Sequence, residues 1–278
     1  MTNHVEGKSI VITGGGGGFG KLVAEKAAAL GASVTLGDID GAAAEAVASA
    51  ITASGGKAQA LATDVTDLAQ CQALVGQAVS AYGRIDVMVN NAGIMPLAFF
   101  SDHEAAYPAW QRCIDINIKG VLNGMIAAYD PMMQQARGQV INISSIYGNF
   151  PVVGAAVYGA SKAAVNVMGE SLRLESRGKI KVTTIKPTGV PATGLSASVI
   201  NPAASVGILG QNAPEFMAMV EAMRDGTLPA ERLDPANIDY ASLAPEHIAD
   251  AVIHAINQPW GVSLGEITVR AAGDHFIL

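Results

Sequence analysis

Cysteine is nearly absent from this chain of 278 residues: Cys71 and Cys113 are its only two, far apart and outside any C-x-x-C or Cys/His spacing. That excludes a disulfide framework and a structural zinc site. No metal is expected, and a reducing cytoplasm is the expected setting. Positive charge is also scarce. Seventeen Lys and Arg face 24 Asp and Glu, for a formal net charge of −7, and no run of Lys or Arg occurs. Neither nucleic acid nor an anionic membrane is therefore an expected partner. No apolar stretch reaches the roughly eighteen uncharged residues of a membrane span. The opening MTNHVEGKSI has no basic start followed by an apolar stretch, so no signal peptide is expected.

Half of the residues are apolar, ample for one large core. Their arrangement alternates between two periods. SIVIT (9–13), SVTLGDI (33–39), AQALATDV (58–65), IDVMVNNAG (85–93), GQVINISS (138–145) and IKVTTIKP (180–187) read as strands. Helical spacing occupies 19–31, about 41–53, 67–82, roughly 103–135 and 155–177. The strands are continuous apolar runs, as expected for a parallel sheet covered on both faces. Strands alternating with helices predict right-handed βαβ units, an α/β doubly wound, Rossmann-like sheet in one domain spanning 1–278. The rhythm breaks after Pro187. The stretch from Pro187 to Pro245 carries seven of the twelve prolines and a methionine cluster, EFMAMVEAM. Residues 191–243 read as a substrate-loop insertion. A helix, PEHIADAVIHAIN, and a strand, EITVRA, then return the chain to the same sheet.

Between the first strand and the first helix lies TGGGGGFG (13–20). Glycines at a helix start let an anion approach outward-pointing backbone N–H groups, where the helix dipole favours it. The run fits three registers: Gly15, Gly17 and Gly20; Gly14, Gly17 and Gly20; or Gly14, Gly18 and Gly20. The second strand ends at Asp38, eighteen residues past Gly20. A carboxylate there suits an adenosine ribose 2′-hydroxyl and repels a 2′-phosphate, which predicts NAD rather than NADP. The competing reading is a cap on the next helix, and Asp40 stands close by. Further on, YGASK sets Tyr158 and Lys162 four apart, on one side of a helix. A nearby ammonium favours the phenolate of a tyrosine, as proton transfer to or from an alcohol requires.

Taken together, TGGGGGFG, Asp38, TDV (63–65), NNAG (90–93), Asn117, NISS (142–145), YGASK and the final strand, in that order, resemble the short-chain dehydrogenase/reductase family in its short, single-domain branch. The resemblance covers nearly the whole chain and selects the T-G-x-x-x-G-x-G register, leaving Gly15, Gly16 and Gly17 as tolerant positions. It implies Tyr158 as general acid/base and Lys162 as the residue that lowers its pKa and binds the nicotinamide ribose. It implies Ser145, thirteen residues before the tyrosine, as the substrate-oxygen contact, and Asn117 as a proton-relay residue. Gly14, Gly18, Phe19, Gly20, Asp38, Ile39, Asp64, Val65, Asn91, Gly93, Pro187 and Val190 are the implied NAD contacts. A dimer or tetramer of identical chains is implied too. One segment departs from the family: in KPTGVPAT, Thr188 replaces a glycine and Thr193 falls six residues past Pro187 instead of five.

Met95, Tyr147, Asn149 and Phe150 are the expected substrate contacts, joined by Leu195, Ile200 and the methionine cluster. For Met219 and Met223, plain core packing is an equal reading. These segments carry no Arg or Lys for a carboxylate or phosphate. The expected substrate is a neutral, largely apolar secondary alcohol or its ketone. The alternatives are a dihydrodiol or sugar, with Asn149 and Tyr147 as polar contacts, or a cofactor-binding regulator without catalysis.

Overall fold

Each short β-branched run becomes a strand, and the computed structural model, which describes residues 2–191 and 193–278, pairs them all in one parallel sheet. The strands are β1 (Ser9–Thr13), β2 (Ser33–Asp38), β3 (Lys57–Ala62), β4 (Val87–Asn90), β5 (Gly138–Ile143), β6 (Ile180–Pro187) and β7 (Glu266–Val269), in the order β3-β2-β1-β4-β5-β6-β7. The helices are α1 (Gly18–Ala29), α2 (Gly41–Ala53), α3 (Leu68–Tyr82), α4 (His103–Cys113), α5 (Val121–Gln134), α6 (Ala156–Glu175), the single turn α7 (Val206–Leu209), α8 (Ala213–Arg224) and α9 (Pro245–Ile256).

Alternation along β1 decides the two cores. Ile10 and Ile12 point to one face, with Val23 and Ala27 of α1, Val47 and Ile51 of α2 and Val252 of α9. Val11 points to the other, with Leu74 of α3, Met125 and Met132 of α5 and Val165 of α6. The result is a single Rossmann-like domain. From β1 the chain first builds outward through β2 and β3, then crosses to β4 on the opposite side. That reversal leaves a crevice at the carboxyl ends of β1 and β4, where such folds bind ligands. Among the described residues no helix is long and apolar enough to cross a membrane.

Helical spacing over 103–135 is interrupted: Ile114–Gly120 forms a π-helical turn between α4 and α5. The proline-broken segment after β6 is not bare loop. It folds into α7, α8 and short 3-10 turns, anchored by the buried side chains of Ala204, Ile208 and Leu209. Those anchors pack with Leu97, Tyr147 and Tyr158 in a third apolar cluster, over the carboxyl end of the sheet. β7 then pairs with β6, Thr184 opposite Glu266.

Backbone geometry separates the five glycines. Gly14 and Gly18 have φ of +65° and +49°, a region that disfavours any side chain. A Cβ on Gly20 would lie 2.1 Å from the Gly14 carbonyl oxygen, so α1 reaches the loop only because that position is bare. The tolerance expected at 15–17 holds at Gly17, where a Cβ meets nothing within 4 Å. It fails at Gly16, where a Cβ would lie 2.9 Å from the Ala43 Cβ. Urea unfolding of single alanine variants tests this. Gly20→Ala and Gly16→Ala should each lose about 1–3 kcal/mol by overpacking, and Gly17→Ala about 1 kcal/mol or less. Equal losses at 17 and 20 would contradict the packing described.

Candidate active site

β1 and β4 stop side by side, and the loops leaving them are tied by one asparagine. The Asn91 side-chain amide donates to the carbonyls of Thr13 (2.9 Å) and Gly14 (3.0 Å). The Thr13 hydroxyl accepts from the backbone N–H groups of Asn91 (3.1 Å) and Ala92 (3.2 Å). Asn91 thus holds the glycine loop in shape, and its donors are spent on backbone. At the end of β2, Asp38 accepts from the N–H of Gly16 (2.9 Å) and of Asp40 (3.0 Å). Asp40, not Asp38, caps α2 by accepting from Ala43 N–H at 3.0 Å. The capping alternative for Asp38 is therefore excluded, and its carboxylate lines the crevice.

On the other side of the crevice, α6 lies against the end of β5 and buries Tyr158 and Lys162. The Lys162 ammonium donates to the Ile143 carbonyl at 2.9 Å. Its Nζ lies 5.7 Å from the Tyr158 ring centroid, and the Tyr147 ring packs edge-on against Tyr158 at 5.4 Å between centroids. Ser144 and Ser145 part company. Both border the cavity, but Ser144 donates to Asn166 Oδ1 (2.7 Å) and to the Lys162 carbonyl (3.2 Å), whereas Ser145 is hydrogen-bonded with the Tyr158 hydroxyl.

Asn117 sits in the π-helical turn, fully buried. Such turns displace one residue from the regular helical surface and recur at functional sites. Its Oδ1 accepts from Ile94 N–H (3.0 Å), and its amide donates to the Ile94 carbonyl (2.9 Å) and to the Ser161 hydroxyl (3.1 Å). Ser161 in turn donates to the Tyr158 carbonyl at 2.7 Å. Sequence reasoning missed Ser161, although it stands inside YGASK. A Cβ on Gly93 would lie 3.3 Å from Asn117 Oδ1 and 3.6 Å from Lys162 Nζ, so the two side chains converge on that glycine.

Desolvation governs the electrostatics. Burial pushes Lys162 down to about 8 from 10.5. Burial also holds the Tyr158 hydroxyl above its ordinary value, with the hydrogen bond from Ser145 opposing it. The lowering of Tyr158 expected from Lys162 is thus not found: the dry wall around both groups penalises the phenolate, and the Ser145 hydrogen bond offsets that only in part.

The cavity has a volume of about 760 Å³ and runs from the glycine loop to α8. Gly14, Gly18, Phe19, Asp38, Asn91, Gly93, Ser145, Tyr158, Lys162, Pro187 and Val190 line it, as do Met95 and Tyr147. Gly20 lies behind the loop as a packing glycine. Ile39 is 75% exposed outside the lining. Asp64 accepts from the Thr66 N–H and hydroxyl, and Val65 packs against Gly120; neither borders the cavity. Asn149 and Phe150 do not reach it either. Asn149 Oδ1 accepts from Lys186 at 2.8 Å, and Phe150 is 64% exposed, because the turn after β5 swings them past the site. Ile200 faces a separate, smaller hollow. The methionine question resolves by helix face: Met219 and Met223 line the cavity with Phe216, while Met217 is exposed.

The unusual turn after β6 has a physical basis. Thr188 N–H continues the sheet pairing by donating to the Val269 carbonyl (3.1 Å). The bare position falls one residue later, at Gly189, where a Cβ would lie 2.2 Å from the Phe276 ring. Thr193 donates to the Val190 carbonyl at 3.3 Å.

The sequence model of short chain dehydrogenases matches residues 8–203. The chain is 37% identical over 201 residues to 2,5-dichloro-2,5-cyclohexadiene-1,4-diol dehydrogenase LinX of Sphingobium indicum, covering 72% of this chain and 79% of that one. It is 38% identical over 188 residues to a 3-alpha-(or 20-beta)-hydroxysteroid dehydrogenase of Mycobacterium tuberculosis, covering 67% and 70%. A metagenomic short-chain oxidoreductase solved in complex with NADP superposes with a TM-score of 0.71 at 27% identity, covering 96% and 98%. The chain belongs to the short-chain dehydrogenase family. It is an oxidoreductase of that family, whose members use nicotinamide cofactors.

The glycine cradle at the start of α1 and the carboxylate at the end of β2 fit a dinucleotide. The lysine gives a test independent of turnover. Between about 8 and 10.5 the unfolded chain keeps a Lys162 proton that the folded chain has lost, so stability rises with pH across that window. Relative to Lys162→Met, the natural protein should gain stability over that range in urea unfolding. Parallel pH courses would show that the ammonium is not desolvated.

Proposed function

We propose that this protein is an NAD-dependent oxidoreductase that interconverts a neutral, largely apolar secondary alcohol and its ketone, with Tyr158 as general acid/base. The observation that carries the reading is the meeting of Ser145, Tyr158 and buried Lys162 in one cavity. Among the described residues, Asp38, Tyr147, Tyr158 and Lys162 are the only ionisable side chains that line it. A carboxylate or phosphate substrate would have no cation but Lys162, which is committed to Ile143.

When bound, NAD supplies the hydride acceptor. In the oxidation direction the Ser145 hydroxyl donates a hydrogen bond to the substrate oxygen, and the Tyr158 phenolate takes the alcohol proton as the carbonyl forms. Reduction returns that proton. Lys162 favours the phenolate and binds the nicotinamide ribose, and Asn117 supports the relay that returns the proton to solvent. Because Tyr158 titrates above its ordinary value, oxidation should accelerate with rising pH. Residues 191–243 act as the lid that excludes water from the hydride path. Leu122 and Ile126, exposed apolar neighbours on α5, support a homo-oligomer, dimer or tetramer. The two free, buried cysteines suit a cytoplasmic protein. A diol substrate is the second reading. Its support is the diol dehydrogenase relative, and its weakness is that Asn149 is engaged by Lys186.

Purified protein mixed with NAD and a panel of secondary alcohols, followed by NADH absorbance, tests the reading. Tyr158→Phe should lose at least about a hundredfold in kcat while NAD affinity, measured by fluorescence titration, stays near that of the natural protein. A variant that keeps most of its kcat removes Tyr158 from the acid/base role.

Asp38 carries the choice of NAD over NADP, since its carboxylate would repel a 2′-phosphate. Asp38→Ala combined with Ile39→Arg should raise kcat/KM for NADP relative to NAD by about tenfold or more, equivalent to about 1.4 kcal/mol. A natural protein that already prefers NADP would sink the cofactor assignment.

A further inference from the structure

The family match ends at residue 203, yet the cavity continues well beyond it. Its wall beyond that point comes from Ile208, Phe216, Met219 and Met223, and from Phe276 in the tail after β7. That tail has no regular secondary structure but is tightly held. Gly273 N–H donates to the Tyr240 carbonyl (2.8 Å) and Ile277 N–H to the Ile208 carbonyl (3.1 Å). The Asn212 amide donates to the His275 carbonyl at 3.0 Å. The buried His275 ring sits with its Nε2 3.2 Å from Arg232 Nη2 and 3.5 Å from Glu215 Oε1.

These ties fix the ring between them. Phe276 lies 6.0 Å from the Phe216 ring, centroid to centroid, and presses on Gly189, where a Cβ would come 2.2 Å from it. Gly189 adjoins Val190 on the β6 side of the cavity. One aromatic ring therefore touches both the strand end that floors the cavity and the helix that roofs it. A ring merely filling core would not line open volume, and a ring on a loose tail could not set a boundary.

We propose that Phe276 is a specificity-determining residue: it closes the far side of the substrate pocket and sets how bulky the apolar part of the substrate can be. The proposal rests on the neutral-alcohol reading above. Removing the ring opens the wall between Gly189 and Phe216. Size selection then changes while cofactor binding does not.

The test compares the natural protein with Phe276→Ala and Phe276→Leu. One readout is kcat/KM with NAD for cyclohexanol and for the bulkier decahydronaphthol. The other is fluorescence titration with two neutral aryl alcohols, naphthol and pyrenemethanol, which needs no turnover. Phe276→Ala should raise the bulky-to-small ratio of kcat/KM, and of affinity, by about tenfold or more. NAD affinity should be unchanged. Phe276→Leu, which keeps most of the volume, should move both ratios in the same direction by less, and it carries the test if the alanine variant does not fold. Ratios equal to those of the natural protein in both readouts, or an even loss across small and bulky ligands, would overturn the proposal and leave Phe276 a packing residue. A natural protein that binds the aryl alcohols but oxidises no alcohol would overturn the alcohol reading instead, and the titration ratios would still decide the role of Phe276.

Discussion

Backbone groups at the carboxyl edge of a parallel sheet have lost their ladder partners and still lie inside the molecule. They must be paired, since an orphaned buried donor or acceptor costs about 1–3 kcal/mol. In this chain the pairing falls to side chains of the site. Asn91 takes the carbonyls of Thr13 and Gly14, Lys162 takes the carbonyl of Ile143, and Asn117 takes both backbone groups of Ile94. The bonds that complete the end of the sheet also position the side chains of the candidate site. Stability and the geometry of the candidate site therefore depend on the same few contacts.

The cavity divides into two unlike halves for a related reason. One end is built from glycines and the end of β2, where backbone N–H groups and one carboxylate face the space. The other end is built from α7, α8 and the tail, whose inward side chains are apolar. Between them stand Ser145, Tyr158 and Lys162, desolvated by the cluster that anchors the insertion. Burial there shifts the lysine downward and the tyrosine upward. The dry surroundings that would strengthen a charge on a reacting oxygen thus disfavour the phenolate and the ammonium alike.

The π-helical turn joins the halves. It removes Asn117 from the regular face of a long helix and turns its amide toward Ile94 and Ser161. Ser161 in turn holds the carbonyl of Tyr158. Asn117 and Ser161 thus tie the turn between α4 and α5 directly to α6.

By itself the sequence determined whatever depends on local period or on fixed spacing. Alternating strands and helices follow from apolar runs and helical repeats. The Tyr158–Lys162 pair follows from one helical turn, whereas the glycine register stays open to three readings until the family resemblance selects one, and the positive φ of Gly14 and Gly18 with the bare approach at Gly20 accounts for it. Asp38 could be singled out because it ends a strand, although only the hydrogen bond from Ala43 to Asp40 excluded the capping role. Tertiary structure decided everything that depends on where distant segments meet. Asn149 and Phe150 stand next to Ser145 in sequence, yet the turn carries them away from the cavity. Phe276, over a hundred residues from Tyr158, is brought to its wall. Gly16 and Gly189 are bare because Ala43 and Phe276 press on them, and no motif records that pressure. The tyrosine's titration follows the same rule. A neighbouring lysine is visible in the sequence, but the dry wall that raises the tyrosine exists only once the insertion has packed over the end of the sheet.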